Sequence, residues 1–414
     1  MNIYDKNGWL DIPKIVNTCE KNEINFIFII GARRTGKTYG IFKHFIEDVF
    51  SKDEKVIYMR RKTTQIDSVL VDTMNPWIDI NHDLHRNFYF KKVKGEKSRV
   101  SLQEINEAGE EIYYGEAFSL TSLMNNRGFS GSGFSEGIYD EFIPEKLDKR
   151  IKGEEDAFLN GVETISANRE LLGEKPFRWW IVSNSNTLDS PLIQSFGLLS
   201  NLEKMKKSGQ EFSMLKDRGI IIILINKSPI SEKKRKTALY KALTGSTDFE
   251  KMALDNEFAY DDISSIKSED LRKYRLICIV GSLGIYEHKN EAKLYISDHI
   301  SGTCKDSFPD SELGKSQFKF YYSWVYNYII SNRISYQNLT VKFYLDKIFN
   351  IWYMYIKGKR LHQPSETDAI MGWLPVSFPL LFYSLVFVSF LKKGEKTKMK
   401  IEDLVVLANA GFSK

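Results

Sequence analysis

An α/β fold built on a parallel sheet is what the sequence predicts, on three observations. Short, largely apolar runs rich in β-branched and aromatic residues recur at 26–30 (FIFII), 55–59 (KVIYM), 179–183 (WWIVS) and 219–225 (GIIIILI), and 138–142 (IYDEF) closes a further short strand. Stretches with helical apolar spacing lie between them, as in KTYGIFKHFIEDVF over about 37–50. The runs do not alternate apolar with polar, so both faces of the sheet are expected to be covered by helices. A composition of 42% hydrophobic and 27% charged residues then excludes a disordered chain, a collagen and a long coiled coil. At 414 residues the chain is long enough for two or three domains. A net charge of +5 permits a polyanionic partner without requiring one. Cys19, Cys278 and Cys304 show no ligand-like spacing and fit a reducing compartment. The N-terminus has no apolar core of the kind a signal peptide needs, so none is expected.

In chain order, 26–30 is a strand, 31–36 a tight turn and 37–50 a helix. The 55–59 strand ends at Arg60 and Arg61, which would face the carboxyl edge where ligands bind in open α/β sheets. Residues 87–118 read as short strands with hairpin turns at Gly95 and Gly109. Residues 125–137 (NNRGFSGSGFSEG) read as a glycine-rich loop leading into the 138–142 strand. The polar, basic stretch 226–236 opens a linker that runs through a helical hinge to about 265. Beyond it 274–281 and 292–298 read as a hairpin pair, and 315–351 as helical with the Trp and Tyr residues of 321–336 in the core. The expected organisation is therefore 1–226, a linker 227–265, a smaller domain 266–351 and an extension 352–414 of unassigned role.

The chemistry starts at Gly31-Ala32-Arg33-Arg34-Thr35-Gly36-Lys37-Thr38, a complete G-x-x-x-x-G-K-[ST] between a strand and a helix. Glycines there let main-chain N–H groups turn inward around phosphate oxygens. Lys37 would sit on the β- and γ-phosphates of ATP, and the Thr38 hydroxyl would ligate Mg²⁺. Arg33 and Arg34 could act as sensing residues. At the end of the 138–142 strand, Asp140 would hold Mg²⁺ through water and Glu141 would orient the attacking water. The adjacent Glu separates hydrolytic ATPases from GTPases and nucleotide kinases, and 226–229 (Asn-Lys-Ser-Pro) is not a guanine-reading motif. The expected class is a P-loop NTPase of the additional-strand, Asp-Glu type, with the extra strand accommodated by the hundred or so residues between Thr38 and Asp140. Asn184, after the 179–183 strand, either touches the γ-phosphate or belongs to a plain turn. Arg169 and Arg127 are each either a trans-acting finger or a solvated surface arginine.

These segments, FIFII, GARRTGKT, VIYMRR, GIYDEFIPEK, NRE and RWWIVSNSN, occur in the order that resembles the DNA-encapsidation ATPases of small short-tailed phages of the picovirus type. The resemblance extends over about 22–351, through MALDNEFAYD and the helical 320–350 segment. It implies a terminase-like motor that hydrolyses ATP to drive double-stranded DNA into a preformed capsid. It implies a homo-oligomeric ring docked on the portal of the prohead through a structural RNA ring, in the cytoplasm of an infected bacterium. It places Arg169 in the finger segment, with Ala167 where a second arginine is usual, and Arg127 near a trans-acting basic position. It also implies an RNase H-like α+β fold for 266–351. The expected opening strand there carries no carboxylate and Asp298 stands alone, so nuclease activity is not expected.

KKRK at 233–236 is a candidate phosphate contact or the start of a solvated basic helix. The charge-free run 373–391 reads as a hydrophobic face for a ring neighbour or the portal rather than a membrane span, because Pro375 and Pro379 interrupt it. His82 and His85 lack the partners of a metal site. Alternatives to the packaging motor are another P-loop DNA translocase or helicase, or a nucleotide-gated scaffold tethered through the 373–391 segment.

Overall fold

The computed structural model describes residues 1–349 apart from 33, 96–98, 124–128, 145–150, 185–186, 226–227, 244–264 and 332. Arg33, Arg127, most of the linker and the whole 352–414 extension thus lie outside the described residues.

The N-terminal strands are β1 (Phe26–Gly31), β2 (Lys55–Arg60), β3 (Phe88–Lys92), β4 (Val100–Ile105), β5 (Glu111–Ser119), β6 (Phe134–Asp140), β7 (Arg178–Ser183), β8 (Phe212–Leu215) and β9 (Ile220–Ile225). They form one sheet in the order β3-β4-β5-β2-β6-β7-β1-β9-β8. From β5 to β9 the pairing is parallel, and β4 and β8 run antiparallel to their neighbours. The extra strand between β1 and β6 is β7, which follows Asp140 in sequence. The long insert before Asp140 instead supplies the β3-β4-β5 extension, whose turns hold Gly95 and Gly109 at positive φ.

Helices cover both faces, as continuous apolar strands require. On one side lie α1 (Ile12–Lys21), α2 (Lys37–His44), extended by a π turn over Phe45–Val49, and α4 (Ile78–Leu84). The short α3 (Thr63–Ser68) precedes α4, and α5 (Leu120–Leu123) follows β5. On the other side lie α6 (Glu154–Ser166), α7 (Pro191–Ser195) and α8 (Leu199–Ser208). Asp11 caps α1 by accepting from Lys14 N at 3.1 Å, and Pro13 fits its first turn. After β9, α9 (Pro229–Lys234) and α10 (Ala238–Ala242) open the linker.

The C-terminal sheet has the order β13-β10-β11-β12-β14, with β10 (Tyr274–Val280), β11 (Leu283–His288), β12 (Leu294–Ser297), β13 (Ser307–Phe308) and β14 (Ser335–Tyr336). Two expectations are corrected here. The 274–280 strand pairs with β11 rather than with the 292–298 strand, because Gly281 at φ 59° reverses the chain at once. The 315–351 stretch is not one helix. It is divided into Glu312–Tyr321, Ser323–Ile330 and Leu339–Phe349, with β14 paired to β12 between the last two. Of the Trp and Tyr residues of 321–336, Tyr336 is in the core as expected, but Tyr321 and Trp324 are 66% and 38% exposed and Val325 and Ile329 pack inward instead. The final helix packs on α8 and joins the two cores.

The 125–137 loop expectation is corrected too, since β6 begins at Phe134. Poor strand formers are held there by tertiary contacts. Gly137 admits Trp179, whose ring would stand 2.8 Å from an added Cβ. Buried Glu136 accepts from Trp180 Nε1 at 2.7 Å and Arg178 Nη1 at 2.9 Å, with His44 Nε2 at 3.2 Å.

A second buried charge network ties β2 to α6. Arg61, 1% exposed, donates to Glu154 from Nε at 2.6 Å and Nη2 at 2.8 Å, and Tyr139 OH donates to the same carboxylate at 3.3 Å. Removing one partner strands a buried charge. Arg61→Met is expected to cost about 3–5 kcal/mol in urea unfolding, with most of the loss restored by adding Glu154→Leu. A single variant as stable as the wild type would show that the pair is not desolvated.

Candidate functional site

At the carboxyl end of β1 the chain turns through residues 31–36 into α2. Gly36 takes φ 86° and Arg34 φ 55°, so the main chain curls tightly ahead of the helix. Gly31 is needed for packing, because a Cβ there would come within 2.5 Å of Ile225 Cβ on β9. Thr35 is fully buried and its Oγ1 donates to Ala32 O at 3.2 Å. Lys37, 7% exposed, folds back onto this loop and donates to Ala32 O at 2.6 Å and Gly31 O at 3.1 Å. The Lys37 ammonium therefore rests on carbonyls inside the turn that would surround a phosphate.

Two strands away, β6 ends in Asp140, which is nearly buried. Glu141 follows at φ 58°, an uncommon conformation for a residue with a Cβ, and its side chain is 42% exposed. Arg60, at the end of neighbouring β2, holds both acids. Its Nη2 lies 3.2 Å from Asp140 Oδ2, and Nη1 pairs with Glu141. Arg60 Nε donates to Tyr58 OH at 2.5 Å; burial pushes the Tyr58 hydroxyl well above its ordinary pKa, so it remains protonated. Arg61 points to the opposite face, into the Glu154 network. Of the two arginines expected at the sheet edge, only Arg60 faces the acids.

One cleft of about 1370 Å³ is lined by Arg34, Thr35, Gly36, Lys37, Thr38, Arg60, Asp140, Glu141 and Asn184. The main-chain turn at a helix N-terminus, the Lys37 ammonium, the Thr38 hydroxyl and the Asp140 carboxylate match the donors that a triphosphate and Mg²⁺ require. The cleft also takes in Trp9 and Asp11 from the N-terminal segment, which the sequence motifs did not single out. An Asn-Gly turn at Asn7-Gly8 just before the tryptophan was the signal available.

Arg169 is not in this group. It is 9% exposed and donates from Nη2 to the carbonyl of Phe134 at 2.7 Å, over the ring of Phe177. Phe134 opens β6 and Asp140 closes it, so Arg169 lies at the far end of the strand from the acids. As placed, the guanidinium turns into its own chain rather than out to solvent as a surface group would. His82 is exposed and pairs with Asp83 at 3.1 Å. Among the described residues no cluster of His, Cys, Asp or Glu could hold a metal ion by itself.

A parallel sheet with one strand between the loop-bearing β1 and the acid-bearing β6 defines a P-loop nucleoside triphosphatase fold. Residues 12–360 match the podovirus DNA encapsidation protein (Gp16) family, and the chain belongs to that family. It is 27% identical over 281 residues to the DNA packaging protein of Bacillus phage B103, covering 67% of this chain and 78% of that one. It is 26% identical over 314 residues to the DNA packaging protein of Bacillus phage phi29, covering 74% and 81%. Two solved structures share the fold. The bacteriophage Phi-29 viral genome packaging motor assembly matches at TM-score 0.57 and 19% identity, over 83% of this chain and 99% of that chain. The Phi-28 gp11 DNA packaging motor matches at 0.53 and 16%, over 87% and 100%.

The Glu136 network bears on the site because it anchors the strand that delivers Asp140. Burial pushes the Glu136 carboxyl up, but His44, Arg178 and Trp180 outweigh that and hold it below its ordinary value. Its stabilising contribution is then present above the unfolded carboxyl pKa of about 4.3 and is lost as pH falls through the depressed native value. Glu136→Gln is expected to flatten the acid limb of stability below about pH 4.3, read from urea midpoints against pH. An acid limb as steep as the wild type's would remove Glu136 from that account.

Proposed function

We propose that this chain hydrolyses ATP to drive double-stranded DNA into a preformed capsid, packaging of viral DNA being the function of the family it belongs to. The observation that supports hydrolysis here is the gathering of Lys37, Thr38, Asp140 and Glu141 into one cleft at the carboxyl ends of β1 and β6. On nucleotide entry Lys37 exchanges its loop carbonyls for β- and γ-phosphate oxygens. Thr38 and Asp140 are the residues that would hold Mg²⁺, which neutralises phosphate charge when bound. Glu141 orients the attacking water and draws off its proton. For that, Glu141 must first leave Arg60, whose ion pair occupies the carboxylate until the site is filled. Asn184 lines the same cleft, within reach of a terminal phosphate.

By family resemblance the motor works as a homo-oligomeric ring on the prohead, docked to the portal through a structural RNA ring, in the cytoplasm of the infected host. A trans-acting cation from the neighbouring subunit is then Arg127 or Arg169; Arg169 would first have to give up its contacts to Phe134 and Phe177. The C-terminal sheet serves docking rather than cleavage, since β10 carries no carboxylate and Glu287 on β11 pairs with Arg275. No helix among the described residues is long and apolar enough to cross a membrane.

The test is ATP turnover with and without DNA and proheads. Lys37→Ala is expected to abolish ATP turnover. Glu141→Gln is expected to bind ATP normally and to hydrolyse it about 100-fold or more slowly. Wild-type turnover by Glu141→Gln would refute the assignment.

A further inference from the structure

The cleft continues past its phosphate end to a wall that the hydrolytic chemistry does not use. Residues 4–10 form a tight hairpin there. Tyr4 bridges Leu10, Asp5 N donates to Trp9 O at 2.8 Å, and Asp5 Oδ1 accepts from the main-chain N of Asn7 and of Trp9 at 2.8 and 2.9 Å. Gly8 supplies the positive φ the turn needs. The hairpin is pinned on three sides. Leu10 N donates to Thr35 O in the P-loop at 3.3 Å, Tyr4 OH donates to Glu211 at 2.8 Å, and Gly8 abuts Pro229 at the start of α9.

This scaffold holds one large ring against the loop. An added Cβ on Gly36 would stand 3.3 Å from Trp9 Cε3, yet the indole is 41% exposed and lines the cleft with Lys37 and Thr38. A largely apolar ring left partly open to solvent on a pinned hairpin has lost its conformational freedom for incomplete burial. Such a ring is pre-organised for a flat ligand. A nucleoside triphosphate bound with its β- and γ-phosphates at the α2 N-terminus would have its base to place along this cleft, whose wall beside Gly36 is Trp9.

We propose that Trp9 is the stacking platform for the nucleobase, and that it favours purine over pyrimidine triphosphates because a purine covers more of the indole. The proposal rests on the nucleotide reading of the cleft, and adds to it a residue that recognises the base rather than the phosphates.

The experiment measures binding of ATP, CTP and inorganic tripolyphosphate to the full chain by calorimetry. Trp9→Ala is expected to weaken ATP by about 5- to 150-fold, shrink the ATP-to-CTP preference and leave tripolyphosphate unchanged. Trp9→Phe is expected to keep most of the ATP affinity and serves if the alanine variant does not fold. ATP, but not tripolyphosphate, should quench tryptophan emission, and the quench should vanish in Trp9→Phe. Undiminished ATP affinity in Trp9→Ala would overturn the proposal. So would an equal loss of ATP and tripolyphosphate, since the hairpin would then only prop the loop. Lys37→Ala separates the two readings: it should weaken both ligands, and if it binds both as the wild type does, the phosphate site itself is misassigned.

Discussion

Asp140 and Glu141 put two carboxylates side by side at the end of a buried strand, and Arg60 reaches from the neighbouring strand to hold them both. Adjacent like charges in a partly desolvated cleft repel unless a cation stands between them. Arg60 meets that need with a planar fork and is itself steadied by the Tyr58 hydroxyl. Lys37 follows the same logic at the other wall, resting on the carbonyls of Gly31 and Ala32. The cleft thus already contains the charges it needs, each paired internally. On the proposed function, a triphosphate with its metal ion would bring one partner for Lys37 and another for Asp140. Catalytic competence would then be an exchange of existing partners, carbonyls for Lys37 and Arg60 for the acids.

That exchange has a mechanical side. Arg60 and Arg61 are consecutive, and their strand lies in register with the acid-bearing one, Met59 opposite Tyr139. Arg60 faces the cleft while Arg61 grips Glu154 at the head of α6, and Tyr139, next to Asp140, touches the same carboxylate. The acid strand and β2 are therefore both tied to the same carboxylate on the far face of the sheet, at α6. The other end of β6 is latched by Arg169 on the segment just after α6. Both ends of the acid strand are tied to α6 or its exit, while Glu136 clamps the middle to α2, the helix that follows the P-loop.

Much of the catalytic half was readable because its signals are local. A glycine-containing turn between an apolar run and an amphipathic stretch can bind phosphate through neighbouring main-chain groups alone, and an apolar strand ending in Asp-Glu offers its carboxylates wherever it lies. What failed to read were features stabilised at long range. The start of β6 looks like a loop in FSEG, yet Gly137 accepts Trp179 and Glu136 finds three partners from distant segments. β11 and the broken 315–351 helix were missed because a glycine reversal and a two-residue strand pairing leave little periodic trace.

By itself, then, the order of residues determined where the P-loop motif lies, which strand brings the acids, and which family the chain resembles, since these depend on spacings of a few residues. Only the tertiary structure decided that Arg60 rather than Arg61 meets the acids, that Arg169 packs on Phe134 and Phe177, and that Trp9 flanks the P-loop. Which way a side chain faces at a strand end, and what lies opposite it, is set by packing between elements far apart in the chain. No local pattern encodes that.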